Sequence, residues 1–100
     1  MGTVWIKQGV KGKLNRQTRK GFGRVAEVYF NLGLDLQVTS LMEGNHSPGS
    51  LYYDGGAFDI KRQGVKKALI VTALGKGFDV IEYFGGRDIF HIEYDPKEIR

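Results

Sequence analysis

His46-Ser47-Pro48-Gly49-Ser50-Leu51-Tyr52-Tyr53-Asp54-Gly55-Gly56-Ala57-Phe58-Asp59-Ile60 passes from a loop into a strand. Its centre, Asp54-Gly55, signals a two-residue turn, because both central positions of that turn need positive φ. A hairpin about this turn sets Tyr52 opposite Ala57, and the two-residue alternation of strands brings Asp59 to the same face. Ala57 is small where a bulky group would fill the space above the sheet, so a concave patch carrying Tyr52 and Asp59 is expected. Upstream, Glu43 to Gly49 is rich in Gly, Asn, Ser and Pro and reads as an exposed loop, the kind of segment that often carries sites. Later in the chain, Asp88-Ile89-Phe90-His91-Ile92-Glu93 enters a strand, and His91 joins the same face if that strand pairs nearby.

The rest of the chain supplies an α+β layout. Thr3 to Ile6 fits a short strand and Gly9 to Gly12 a turn. From about Asn15 the pattern is helical, with Phe22, Val25, Ala26 and Tyr29 recurring at i, i+3, i+4 and i+7. Gly21 and Gly23 each weaken this helix by roughly 1 kcal/mol relative to Ala, and Asn31-Leu32-Gly33 ends it. Leu36 to Leu41 alternates with β-branched residues at its centre and reads as a core strand, and Ala57 to Lys61 reads as another. Gln63 to about Leu74 fits a helix packed through Val65, Ala68, Leu69 and Thr72, with the run Ile70-Val71-Thr72 leaving a strand as the alternative. Phe78 to Phe84 and Ile89 to Tyr94 are further strands, separated by Gly85-Gly86, and Pro96 stops the last. The expected fold is a small, mostly antiparallel sheet with helices packed on one face.

One hundred residues, 41% hydrophobic and 12% aromatic, are enough for a single domain with one modest core. With no cysteine, neither a disulfide framework nor a thiolate cluster is available. Any metal must sit on His, carboxylate, Tyr or water. No apolar run approaches the roughly 20 residues of a membrane span, and the first residues lack the apolar core of a signal peptide, so cytoplasmic synthesis is expected. Lys7, Lys11, Lys13, Arg16, Arg19, Lys20 and Arg24 all precede the first acidic residue, Glu27. Such a basic face attracts polyanions, which admits an anionic cell-wall polymer or a nucleic acid as partner and equally fits a solvated, solubilising surface.

The quoted stretch resembles the signature of the hedgehog and D-Ala-D-Ala carboxypeptidase zinc-peptidase superfamily, Ser-x-His-x-x-Gly-x-Ala-x-Asp followed later by a further His. Ser50, Gly55, Ala57 and Asp59 match, His91 takes the later position, and Tyr52 stands where the pattern has its first His. The resemblance implies a zinc ion held by Asp59, His91 and, at a non-standard ligand position, Tyr52. It also implies Asp88 as general base, three residues ahead of His91, and Ser50 with the Gly49 loop as substrate-orienting groups. The arginine that many peptidoglycan carboxypeptidases carry after the first core strand is replaced by Leu41-Met42-Glu43. His46 is the other histidine, either a stand-in ligand or a loop residue orienting Ser47 or Ser50.

Three functional readings follow. The first is a zinc-dependent D,D-peptidase-like hydrolase cleaving peptidoglycan peptides, of a size suited to a phage-derived lysis or tail protein. The second is a catalytically inactive member of the same fold, a pseudoenzyme acting as a binding module, which Tyr52 and the absent arginine favour. The third is a nucleic-acid-binding domain, which only the charge asymmetry favours.

Overall fold

The computed structural model describes residues 2–8, 14–41 and 56–94. Within them the order is β1 (Val4–Ile6), α1 (Arg16–Asn31), β2 (Leu36–Ser40), β3 (Ala57–Lys61), α2 (Lys67–Leu74), β4 (Phe78–Tyr83) and β5 (Ile89–Tyr94). The expected turn at Gly9–Gly12, the loop Glu43–Gly49 and the pairing of Tyr52 with Ala57 lie outside the described residues.

Both ends of α1 follow from local chemistry. The Asn15 side chain accepts the Thr18 amide at 2.9 Å, satisfying one of the donors that a helix start leaves open. At the other end Gly33 takes φ 78°. Its amide donates to the Phe30 carbonyl at 3.0 Å and that of Leu34 to Tyr29 at 2.9 Å, the two bonds of a Schellman closure. Val25, Ala26 and Tyr29 are buried, as the periodicity predicts, and Phe22 meets Phe58 edge to face at 5.1 Å.

The second helix departs from expectation. It starts only at Lys67, after Gln63 and Gly64 both adopt positive φ, so the turn shifts the helical phase. Ile70 and Leu74 are its buried residues, while Ala68, Leu69 and Thr72 face outward and Val65 enters the core from the preceding turn.

The strands form one mixed sheet in the order β1-β2-β3-β5-β4. β1 runs parallel to β2, and every other pairing is antiparallel. Asp35 ties β1 down by accepting the Thr3 amide at 3.0 Å and the Trp5 indole N–H at 2.9 Å. Leu36, Val38, Phe58, Ile60, Phe90 and Ile92 project from one face into a single core with Val25, Tyr29, Ile70 and Leu74 of the helices. Both helices therefore cover one face, and the odd-numbered positions of β3, β4 and β5 occupy the other. Among the described residues no helix is long and apolar enough to cross a membrane.

The two helical glycines differ in their surroundings. A Cβ on Gly21 would lie 2.6 Å from the Phe78 ring and 2.9 Å from Leu74 Cδ2, whereas one on Gly23 meets nothing within 4 Å among the described residues. Gly23→Ala is expected to raise the unfolding free energy by up to about 1 kcal/mol, with Gly21→Ala giving less or a loss, as measured by urea denaturation.

Candidate functional site

The antiparallel register of β3 and β5 sets Asp59 directly opposite His91. Neighbouring strands extend this row across the open face, since Ser40 of β2 pairs with Asp59 and Ile81 of β4 pairs with His91. One step along the strands Lys61, Ile89 and Tyr83 form a second row, and in the other direction Ala57 and Glu93 form a third. Between β2 and β3 the register shifts, two positions on β2 (Val38 to Ser40) matching one on β3 (Ile60 to Asp59). That bulge brings consecutive residues, Thr39 and Ser40, to the rim of the same cleft. The cleft has a volume of about 890 Å³, with Asp59 and His91 on its floor and Lys7 and Arg87 on its margins.

His91 is held between two carboxylates. Its Nδ1 lies 2.7 Å from Asp59 Oδ1 and its Nε2 2.8 Å from Glu93 Oε1. A neutral imidazole has one N–H and can donate to only one of them, whereas the imidazolium donates to both. Burial works to lower the His91 pKa, but the hydrogen bonds and charges of Asp59 and Glu93 outweigh it, leaving the pKa above its ordinary value of 6.5.

The site residues predicted from sequence divide into three groups. Asp59 and His91 come together on the open face. Asp88 does not join them: it adopts φ 47°, and its carboxylate accepts from Arg62 Nε at 2.8 Å and pairs with Nη2 at 2.6 Å. Arg62 also binds Glu82 at 2.8 Å, and Glu82 pairs with the core residue Phe90, so this cluster belongs to the helix-bearing side. Its two-pronged hold on Arg62 is the physical reason Asp88 is not positioned as a base beside His91. Tyr52, Ser50, Gly49 and His46 lie outside the described residues. Glu93 was not singled out from the sequence, although its place two residues after His91 in a strand puts it on the same face.

The donor chemistry of Asp59 and His91 suits two ligands of a zinc site, a carboxylate oxygen and an imidazole nitrogen. At 2.7 Å they are hydrogen-bonded as they stand. Two ligands of one tetrahedral zinc are about 3.3 Å apart, so sharing an ion requires a small opening and loss of the intervening proton. Glu93 would then receive the remaining His91 N–H, the outer-sphere contact that orients metal-bound histidines. Among the described residues no group of three or more His, Cys, Asp or Glu side chains is arranged to hold a metal ion.

A raised histidine pKa stabilises the fold fully below the unfolded value and less as pH climbs through the folded value, because above 6.5 the native state binds more protons than the unfolded chain. In metal-free protein, stability is therefore expected to fall as pH rises from 6.5, and His91→Gln is expected to flatten that dependence. Urea denaturation across pH, with NMR titration of the His91 ring, measures both. The chain matches no protein-family model and no characterised protein.

Proposed function

We propose that the chain is a zinc-dependent, D,D-peptidase-like hydrolase acting on peptidoglycan peptides, with Asp59 and His91 as metal ligands and Tyr52 at the third ligand position. The observation that carries this reading is the direct cross-strand pairing of Asp59 with His91 on the floor of a cleft that neither helix covers. Two residues from separate segments, matching the two ends of a metal-peptidase pattern, become neighbours only in the fold. Zinc in such a site lowers the pKa of bound water and polarises a carbonyl.

The chain's own groups have distinct tasks in this proposal. Glu93 accepts the His91 Nε2 proton, fixing the ring so that Nδ1 faces Asp59. With Asp88 engaged by Arg62, Glu93 is also the carboxylate placed at the cleft to relay a proton. Ser40 and Thr39 border the side nearest Asp59 and offer hydroxyls to a bound peptide backbone.

The second reading, a catalytically inactive binding module of the same fold, is favoured by one feature: the carboxylate expected to act as base is tied to Arg62. Zinc calorimetry separates the two. Submicromolar uptake by the wild type, abolished by Asp59→Ala and by His91→Ala without change in far-ultraviolet circular dichroism, accompanied by release of D-Ala from peptidoglycan peptides, supports the hydrolase. Uptake only after Tyr52→His, with no cleavage by the wild type, supports the binding module. No uptake by either protein removes the metal-site reading.

A further inference from the structure

The cleft continues past the Asp59–His91 row to a second row in which Ile89 lies between Lys61 and Tyr83. Neighbouring strands are about 4.8 Å apart, so the backbones of Lys61 and Tyr83 flank Ile89 at roughly that spacing on each side. Ile89 is buried and forms an apolar floor. Above Tyr83 the guanidinium of Arg87 stacks at 4.5 Å from the ring centroid, which holds it over the cleft without neutralising it. On the opposite wall Lys61 is half-buried and forms no salt bridge among the described residues. Lys7 also lines the cleft, but it follows β1, three strands away from β5, and so lies apart from Ile89.

This polarity differs from that of the neighbouring row. The carboxylates that line the cleft among the described residues, Asp59 and Glu93, both bind His91, whereas Lys61 and Arg87 one step along the strand have no carboxylate partner among the described residues. A half-buried lysine and an exposed arginine stacked on Tyr83, on either side of an apolar floor, favour an anionic oxygen group between them, and the planar donor fork of Arg87 suits a carboxylate or phosphate.

We infer that Lys61 and Arg87 form an anion subsite over Ile89 that binds a carboxylate or phosphoryl group of an extended ligand. Two residues of strand separate Ile89 from His91, so that group lies about 7 Å along the cleft from the Asp59–His91 pair. The inference names the charged end of the ligand for the cleft proposed above and rests on that cleft being the binding site, but its cations are separate from the proposed metal ligands.

The test uses the full chain at low ionic strength, titrated with acetylated D-Ala-D-Ala as free acid, with its C-terminal amide and with inorganic phosphate, following the Ile89 methyl and Tyr83 ring resonances. The free acid is expected to shift both sets of resonances and to bind at least about tenfold tighter than the amide, the scale of one charge-assisted hydrogen bond. In the doubly substituted Lys61→Gln, Arg87→Gln protein that preference is expected to vanish, whereas in Asp59→Ala it survives even as zinc uptake is lost. Binding of phosphate but not of the peptide acid keeps the subsite and assigns its ligand to a phosphoryl group. Equal binding of acid and amide without phosphate binding, retention of the preference in the double variant, or no response at Ile89 and Tyr83 to any probe overturns the inference. Zinc uptake with no anion preference defeats the subsite alone, and anion preference with no zinc uptake defeats the metal site alone.

Discussion

The register between β3 and β5 is the constraint on which the rest depends. Five successive residue pairs, from Ala57 with Glu93 to Lys61 with Ile89, join segments far apart in the chain. A slip of one residue would turn Phe58 and Ile60 to the open face and drive Asp59 into the core. Burying a side chain of their size is worth about 1.5–3 kcal/mol relative to leaving it exposed, so the hydrophobic pairs strongly select the observed register. The polar row follows as a consequence, and the mutual hydrogen bonds of Asp59, His91 and Glu93 offset the cost of desolvating them.

The sheet separates two charged clusters that might otherwise interfere. Asp59, His91 and Glu93 share the open face, while Arg62 gathers Glu82 and Asp88 on the side that carries the helices. The Arg62 cluster has a positional effect as well. Its backbone amide donates to the Asp88 carbonyl at 3.1 Å and its guanidinium lies over Phe84 at 4.5 Å, so the end of β3 is clamped to the connection between β4 and β5. Arg87 sits in that connection, between Gly86 and Asp88, and is thereby held at the mouth of the cleft. Tyr29 reinforces the arrangement from below, its single hydroxyl proton shared between the carbonyls of Lys61 at 2.8 Å and Arg62 at 3.1 Å.

Much of this was legible along the chain, for local reasons. A helix beginning after Asn15 and closing at Gly33 follows from capping chemistry, and the strand at Ala57–Lys61 from its composition and position. Asp59 and His91 are legible as candidates only through the resemblance of their surroundings to a metal-peptidase pattern. The buried face of α2 was misread because positive φ at Gln63 and Gly64 resets the helical phase, and Gln63 is not a residue whose identity announces such a backbone. Asp88 was assigned from its distance to His91 in sequence, yet Arg62 lies nearer to it in space. Glu93 shares a face with His91 by strand alternation, but a lone glutamate two residues on carries no signal of its own until Asp59 and His91 are brought together.

By itself, the amino-acid sequence determined the two-residue alternation that gives the later strands one apolar and one polar face, the caps that bound α1, and the candidacy of Asp59 and His91. Only the tertiary structure decided which strands are neighbours, and with that the meeting of Asp59 with His91, the capture of Asp88 by Arg62 and the alignment of Lys61 with Tyr83 across Ile89. The reason is that a hydrogen-bonded strand ladder joins backbone groups common to every residue. Partners and register are chosen by how the whole set of apolar side chains closes into one core, a sum over contacts that no single stretch of chain contains.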